Sequence, residues 1–163
     1  MKLGKLIARV VIGGLFFGHG AQKLFGWFGG GGLEGTGQFM EQLGFKPGRR
    51  HALSSGLAET GGGVMLGLGL LTPAAAASLI ATMVVAAKSV HLQNGIWVSD
   101  SGFEYNLVLV AALLALVDGG PGSASLDARL GIEETGPIVA LAALAAGAAG
   151  AGVVLAGADS EAS

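Results

Sequence analysis

The chain has 163 residues, no cysteine and a formal net charge of −2. Without cysteine there is no disulfide, no thiolate-held iron–sulfur cluster and no thiol nucleophile, and without a basic stripe there is no footprint for nucleic acid. Hydrophobic residues make up 52% and charged residues only 12%, about half the charge of a soluble domain. With a mean hydropathy of +0.67, this composition excludes an ordinary soluble domain and predicts an all-α, polytopic membrane protein with the lipid bilayer as its first partner.

A helical span takes about 20 mostly apolar residues, and the first is predicted over residues 6–26. Lys2 and Lys5 before the apolar run 10–17 imitate a secretory signal. No small-residue cleavage site follows, and helical periodicity continues through His19, Gly20, Ala21, Gln22 and Lys23, so a retained first helix is expected. The connection from Trp27 to His51 opens with four glycines, 29–32. Within it Phe39, Met40 and Leu43 recur at helical spacing opposite Glu41 and Gln42, which predicts a short amphipathic helix at the membrane surface.

A second span is expected over 53–71. Thr72 suits an N-cap and Pro73 a first helical position for a third span over 73–92. The next connection carries Asn94-Gly95 and Asp100-Ser101-Gly102, which are turn chemistry, before a fourth span over 103–117. The connection 119–137, with Asp127, Arg129, Glu133 and Glu134, reads as solvated. The Ala/Gly-rich stretch 138–158 has no charge and is long enough for a fifth span. The expected architecture is an antiparallel four-helix transmembrane bundle over residues 1–130, with a C-terminal extension, 131–163, carrying a fifth transmembrane helix. Gly14-x-x-x-Gly18 and Gly63-x-x-x-Gly67 read as points of close helix packing. Lys2, Lys5, Arg9 and Arg129 nearly balance Lys46, Arg49 and Arg50 across the membrane. The acidic Asp159 and Glu161 tip the expectation to a cytoplasmic N-terminus in the cell membrane.

Ionisable residues inside spans are costly and are usually paired or functional. In up-down-up-down order, the end of span one, the start of two, the end of three and the start of four share one side. His19, Gln22 and Lys23, then Glu59, then Lys88 and His91, then Glu104 therefore converge at one end of the bundle. Trp27, Phe28, Trp97, Phe103 and Tyr105 lie on that side as well, while the other end has mainly Arg9 and Asp118. One account is structural: Lys23 with Glu59 and Lys88 with Glu104 pair to neutralise charge. The functional account is a polar pocket under the amphipathic piece, suited to a quinone headgroup, a small anion or a metal. His19, Glu59, His91 and Glu104 are competent metal ligands, but no Glu-x-x-His or His-Glu-x-x-His motif is present, so no metal is expected. His51, beside Arg49 and Arg50, reads as interfacial rather than part of a site.

At these positions the chain resembles the DoxX family of small membrane proteins. The resemblance rests on Arg9 and His19-Gly20-x-x-Lys23, then Glu59-x-Gly61-Gly62 and Leu68-Gly69-Leu70-Leu71-Thr72. His91, Glu104 and Gly120-x-Gly122-x-x-Ser125-Leu126-Asp127 complete it, and it covers about residues 6–130. It implies a four-helix membrane core. A related type is a subunit of a thiosulfate:quinone oxidoreductase, and another member is implicated as the membrane partner of a superoxide dismutase and a sulfurtransferase. The leading expectation is a redox-linked membrane subunit with a quinone or small-ligand site lined by His19, Lys23, Glu59 and His91. The alternatives are a non-enzymatic scaffold recruiting soluble or membrane oxidoreductases in oxidative or thiol stress defence, and a small-solute permease. Self-association is also compatible with such a protein.

Overall fold

The computed structural model describes residues 2–161, with side chains over 2–158, so Asp159 and Glu161, which enter the orientation expectation, lie outside the described side chains. Helix α1 (Leu3–Phe25) stops at Gly26, whose φ of 72° is a left-handed conformation that glycine adopts without strain. After a single turn at Trp27–Gly29, α2 (Gly32–Gln42) forms the short surface helix. Helix α3 (Gly48–Leu68) closes with Gly69 N–H and Leu70 N–H bonded back to Leu66 O at 3.0 Å and Met65 O at 2.9 Å. Helix α4 (Thr72–Ala86) runs on through a wide π-helical turn, Ala87–His91. Helices α5 (Glu104–Gly119), α6 (Leu126–Leu130) and α7 (Pro137–Glu161) complete the chain. There is no strand among the described residues.

Three stretches are long and apolar enough to cross a membrane: Leu3–Phe25, Thr72–Asn94 and Pro137–Ala158. The last has the highest hydropathy of the three, 2.3, so the C-terminal segment qualifies as a span by length and composition. Helix α3 has 21 residues, long enough at about 1.5 Å per residue, but serines, Thr60, Glu59 and many glycines dilute it. Helix α5 has only 16 residues. Both pack inside the bundle, α3 against α1 and α4, and α5 against α4 and α7.

The register follows from small residues. Gly13 backs onto Gly63 and Gly67, and Gly20 onto Gly56 and Thr60, which makes α1 and α3 antiparallel. Gly62 meets Ala75 and Leu79 of α4. On α7, Gly147 meets Ala77 and Ile80, and Gly150 meets Ala81; the numbers rise together, so α4 and α7 are parallel, as alternating spans require. Phe16, Leu66, Leu79, Ile80, Leu113 and Val117 fill the centre.

Three expectations are corrected. The Gly14/Gly18 pair meets nothing; the contact face of α1 carries Gly13 and Gly20 instead, seven apart, while Gly63 and Gly67 do pack as expected. Thr72 does not cap α4. Leu71 is the N-cap, at φ 46°, and the free N–H groups of Leu71 and Thr72 are bound by the Asp127 carboxylate at 2.6 and 2.9 Å. Asp127 also accepts from Thr72 Oγ1 at 2.7 Å, and is 1% exposed. The connection 119–137 is therefore only partly solvated: Arg129, Glu133 and Glu134 are exposed, but Asp127 is a buried cap.

Candidate functional site

Antiparallel packing of α1 on α3 brings the end of α1 beside the middle of α3. There Lys23 Nζ donates to Glu59 Oε2 in an ion pair. The Glu59 side chain is 5% exposed and that of Lys23 25%. Such a buried pair is weak evidence for stability, because desolvation offsets the attraction, while removing one partner strands the other.

Two cavities meet at this pair. The inner chamber, about 400 Å³, lies among α1, α3, α4 and α5, and His19, Lys23, Glu59 and His91 all line it, with Tyr105 and Asn106 opposite. The outer groove, about 480 Å³, runs between α3 and α4 beneath Phe39 and Met40 of α2, with Val154 of α7 at its flank. Lys23, Glu59, Ala86 and His91 belong to both walls. Most of the groove wall is apolar, so the polar pocket expected under the amphipathic piece divides into an ionisable chamber and a largely apolar groove.

The two imidazoles are oriented by their neighbours. His91 Nδ1 lies 2.7 Å from Ser101 O; a carbonyl only accepts, so Nδ1 carries the proton and Nε2 is left with a free lone pair. Gln22 Nε2 donates to Phe28 O at 3.3 Å, which turns Gln22 Oε1 toward His19 Nδ1, 3.1 Å away. His19 therefore also keeps Nε2 as its acceptor. Gln22 lines a separate shallow depression with Gly29 and Gly30, so its role toward the chamber is to hold His19.

Two of the seven sequence candidates stay apart. Lys88 is exposed and lines neither cavity. Glu104 accepts the Val98 N–H at 2.9 Å and so folds the loop that closes the chamber; no Lys88–Glu104 ion pair forms among the described residues. Sequence reasoning placed Tyr105 at this end only as one of its aromatic residues, did not count Asn106 among the candidates although both line the chamber, and set aside His51, which lines the groove with its ring 5.3 Å from that of Phe45. Its position next to two arginines concealed the inward turn of α3. No group of three or more His, Asp or Glu side chains among the described residues could hold a metal ion.

The DoxX family model matches residues 4–92, more than half of the chain. The chain belongs to the DoxX family. A relative from Bacillus subtilis (strain 168), named "Putative oxidoreductase CatD", is 30% identical over 115 residues, 71% of this chain and 79% of the relative. No solved structure matches the chain. The DoxX match takes in α1 to α4 and ends just past His91, so it includes His19, Lys23, Glu59 and His91. Helices α5 and α7 lie beyond it.

Proposed function

We propose that this DoxX protein is a redox-linked membrane subunit whose inner chamber takes a quinone headgroup or a similar small oxygen-bearing ligand. The observation that carries the reading is the chamber wall: His19 and Lys23 from α1, Glu59 from α3 and His91 from the extension of α4 converge on one half-open cavity. Its volume, about 400 Å³, lies in the range of small-molecule sites, and a mostly apolar wall with a few convergent polar groups is the usual form of such sites. The name of the Bacillus subtilis relative supports a redox setting.

Reduction of a quinone to a quinol takes up two electrons and two protons. No cysteine is present to carry the electrons, so they come from an oxidoreductase partner. This chain's own groups bind and supply protons. The Lys23 ammonium attracts a quinone oxygen, and Glu59 and the Nε2 positions of His19 and His91 exchange protons with it. Neutralising Glu59 leaves Lys23 unpaired and removes one proton carrier, and truncating His19 removes a second.

Binding of a short-chain benzoquinone to the purified protein in lipid nanodiscs tests this. Glu59→Gln and His19→Ala should each weaken binding by about tenfold, the loss of one charge-assisted hydrogen bond. Unchanged affinity in both variants sinks the reading. A bound soluble oxidoreductase with no quinone affinity would instead establish the scaffold.

A further inference from the structure

We infer that the outer groove between α3 and α4 holds the apolar tail of the ligand and is its route in from the bilayer. The inference rests on the proposed headgroup site and adds the ligand class, an amphiphile rather than a water-soluble solute, and the path it takes.

The position of the groove carries the argument. Its wall comes from α3 and α4, roofed by Phe39 and Met40 of α2 and flanked by Val154 of α7. From α1 it takes only Lys23, and α5 contributes no described residue. Because α1 and α5 line the chamber while the groove takes only Lys23 from them, the groove lies on the opposite side of the α3–α4 pair, the side we assign to lipid. The groove reaches from His91 down to Ser78, thirteen residues along α4 and its extension. At about 1.5 Å per residue that is about 20 Å, roughly two-thirds of the hydrocarbon thickness of a bilayer. Gly62 of α3 meets Ala75 and Leu79 of α4, so Glu59 and its partner Lys23 stand level with the Ser78–Thr82 end and His91 marks the other; a chain lying in the groove runs along the membrane normal beside the chamber, with these three groups in the shared wall.

The wall chemistry fits a hydrocarbon chain. Phe45, Val85 and Val90 add to the apolar surface, and Thr82 satisfies its hydroxyl within α4 by donating to Leu79 O at 2.8 Å, as membrane helices commonly do. The passage inward would run between the residues that both cavities share. Ala86 is the smallest of the four residues shared by both cavities, and the other three are the ionisable groups that would meet the head. A solute arriving from water would instead reach the chamber past Val98 and Ser101, without touching the groove.

A photoaffinity experiment separates this from the headgroup reading. The probe is a decyl-tailed benzoquinone with a diazirine at the tail end, bound to the full chain in lipid nanodiscs, with a tail-less benzoquinone as competitor. Cross-links should map to Ser55, Ser78, Thr82 or Val85. Ser78→Phe and Val85→Phe, two fillings of the groove at different depths, should each lose most of that labelling while still binding the tail-less quinone. Competable binding of the head with cross-links falling on α1 or α5 overturns the groove and leaves the chamber standing. Absence of binding by either quinone overturns the redox reading and the groove assignment with it. Unchanged groove labelling in both variants also overturns it.

Discussion

At the scale of residues, the buried charges divide between two ends with different tasks. At the polar end, Lys23 and Glu59 border cavities, where a ligand can exchange partners with them. At the other end Arg9 is fully buried and donates from Nη2 to Ala124 O at 3.0 Å. Its Nε and Nη1 have no partner among the described residues. Asp127, next to it in the fold, spends both carboxylate oxygens on the start of α4. That arrangement is a cap built from a distant segment: a negative side chain at a helix N-terminus satisfies N–H groups the helix cannot and favours the dipole. Asp127→Ala strands those donors and leaves Arg9 as an uncompensated buried charge. It should destabilise the protein by about 3–5 kcal/mol, read as a lower thermal midpoint in detergent, whereas Asp127→Asn, which keeps one acceptor, should lose clearly less. Equal midpoints for wild type and Asp127→Ala would refute the capping role.

At the scale of elements, α1 and α3 are held by glycine faces. A Cβ on Gly63 would stand 2.5 Å from Gly13 O and 2.6 Å from Phe17 N, distances that force the helices apart. A Cβ on Gly14 would meet nothing within 4 Å. Gly63→Ala should therefore cost about 1–3 kcal/mol as overpacking and disturb the Lys23–Glu59 register. Gly14→Ala should be neutral or stabilising by up to about 1 kcal/mol. Thermal unfolding of the two variants checks the contrast, and similar shifts would contradict the assigned face. The glycines themselves are plain in the sequence. Which of Gly13 and Gly14 faces α3 is not, because two adjacent glycines lie 100° apart on a helix and neither carries a hydrophobic side chain to mark its face.

At the scale of the whole molecule, the alternation of helices makes one end polar and leaves α1 and α7 starting on the opposite side. We propose that this opposite side is cytoplasmic. The lack of native cysteine makes the test direct: an impermeant thiol reagent should label Lys46→Cys from outside intact cells and reach Arg129→Cys only after permeabilisation. Both positions are exposed, and the reverse pattern would place the polar end inside. The same pair tests the crossings of α3, α4 and α5, since an odd number of spans must separate the two positions.

The all-helical class, the helix order and the gathering of His19, Lys23, Glu59 and His91 on one side of the bundle were legible in the sequence alone. Hydropathy runs and antiparallel alternation are local, additive features, and four ionisable residues at matching heights leave little choice of side. The tertiary structure decided what local patterns cannot encode. It separated the chamber from the groove, because a cavity is the space left between helices rather than a property of any one of them. It tied Glu104, at the start of α5, to the Val98 N–H of the preceding loop and left Lys88 exposed outside both cavities, since height in the membrane does not fix the angle around a helix axis. It also turned Asp127 from a solvated loop residue into a buried cap, because that burial depends on a contact across more than fifty residues of chain, with Leu71 and Thr72.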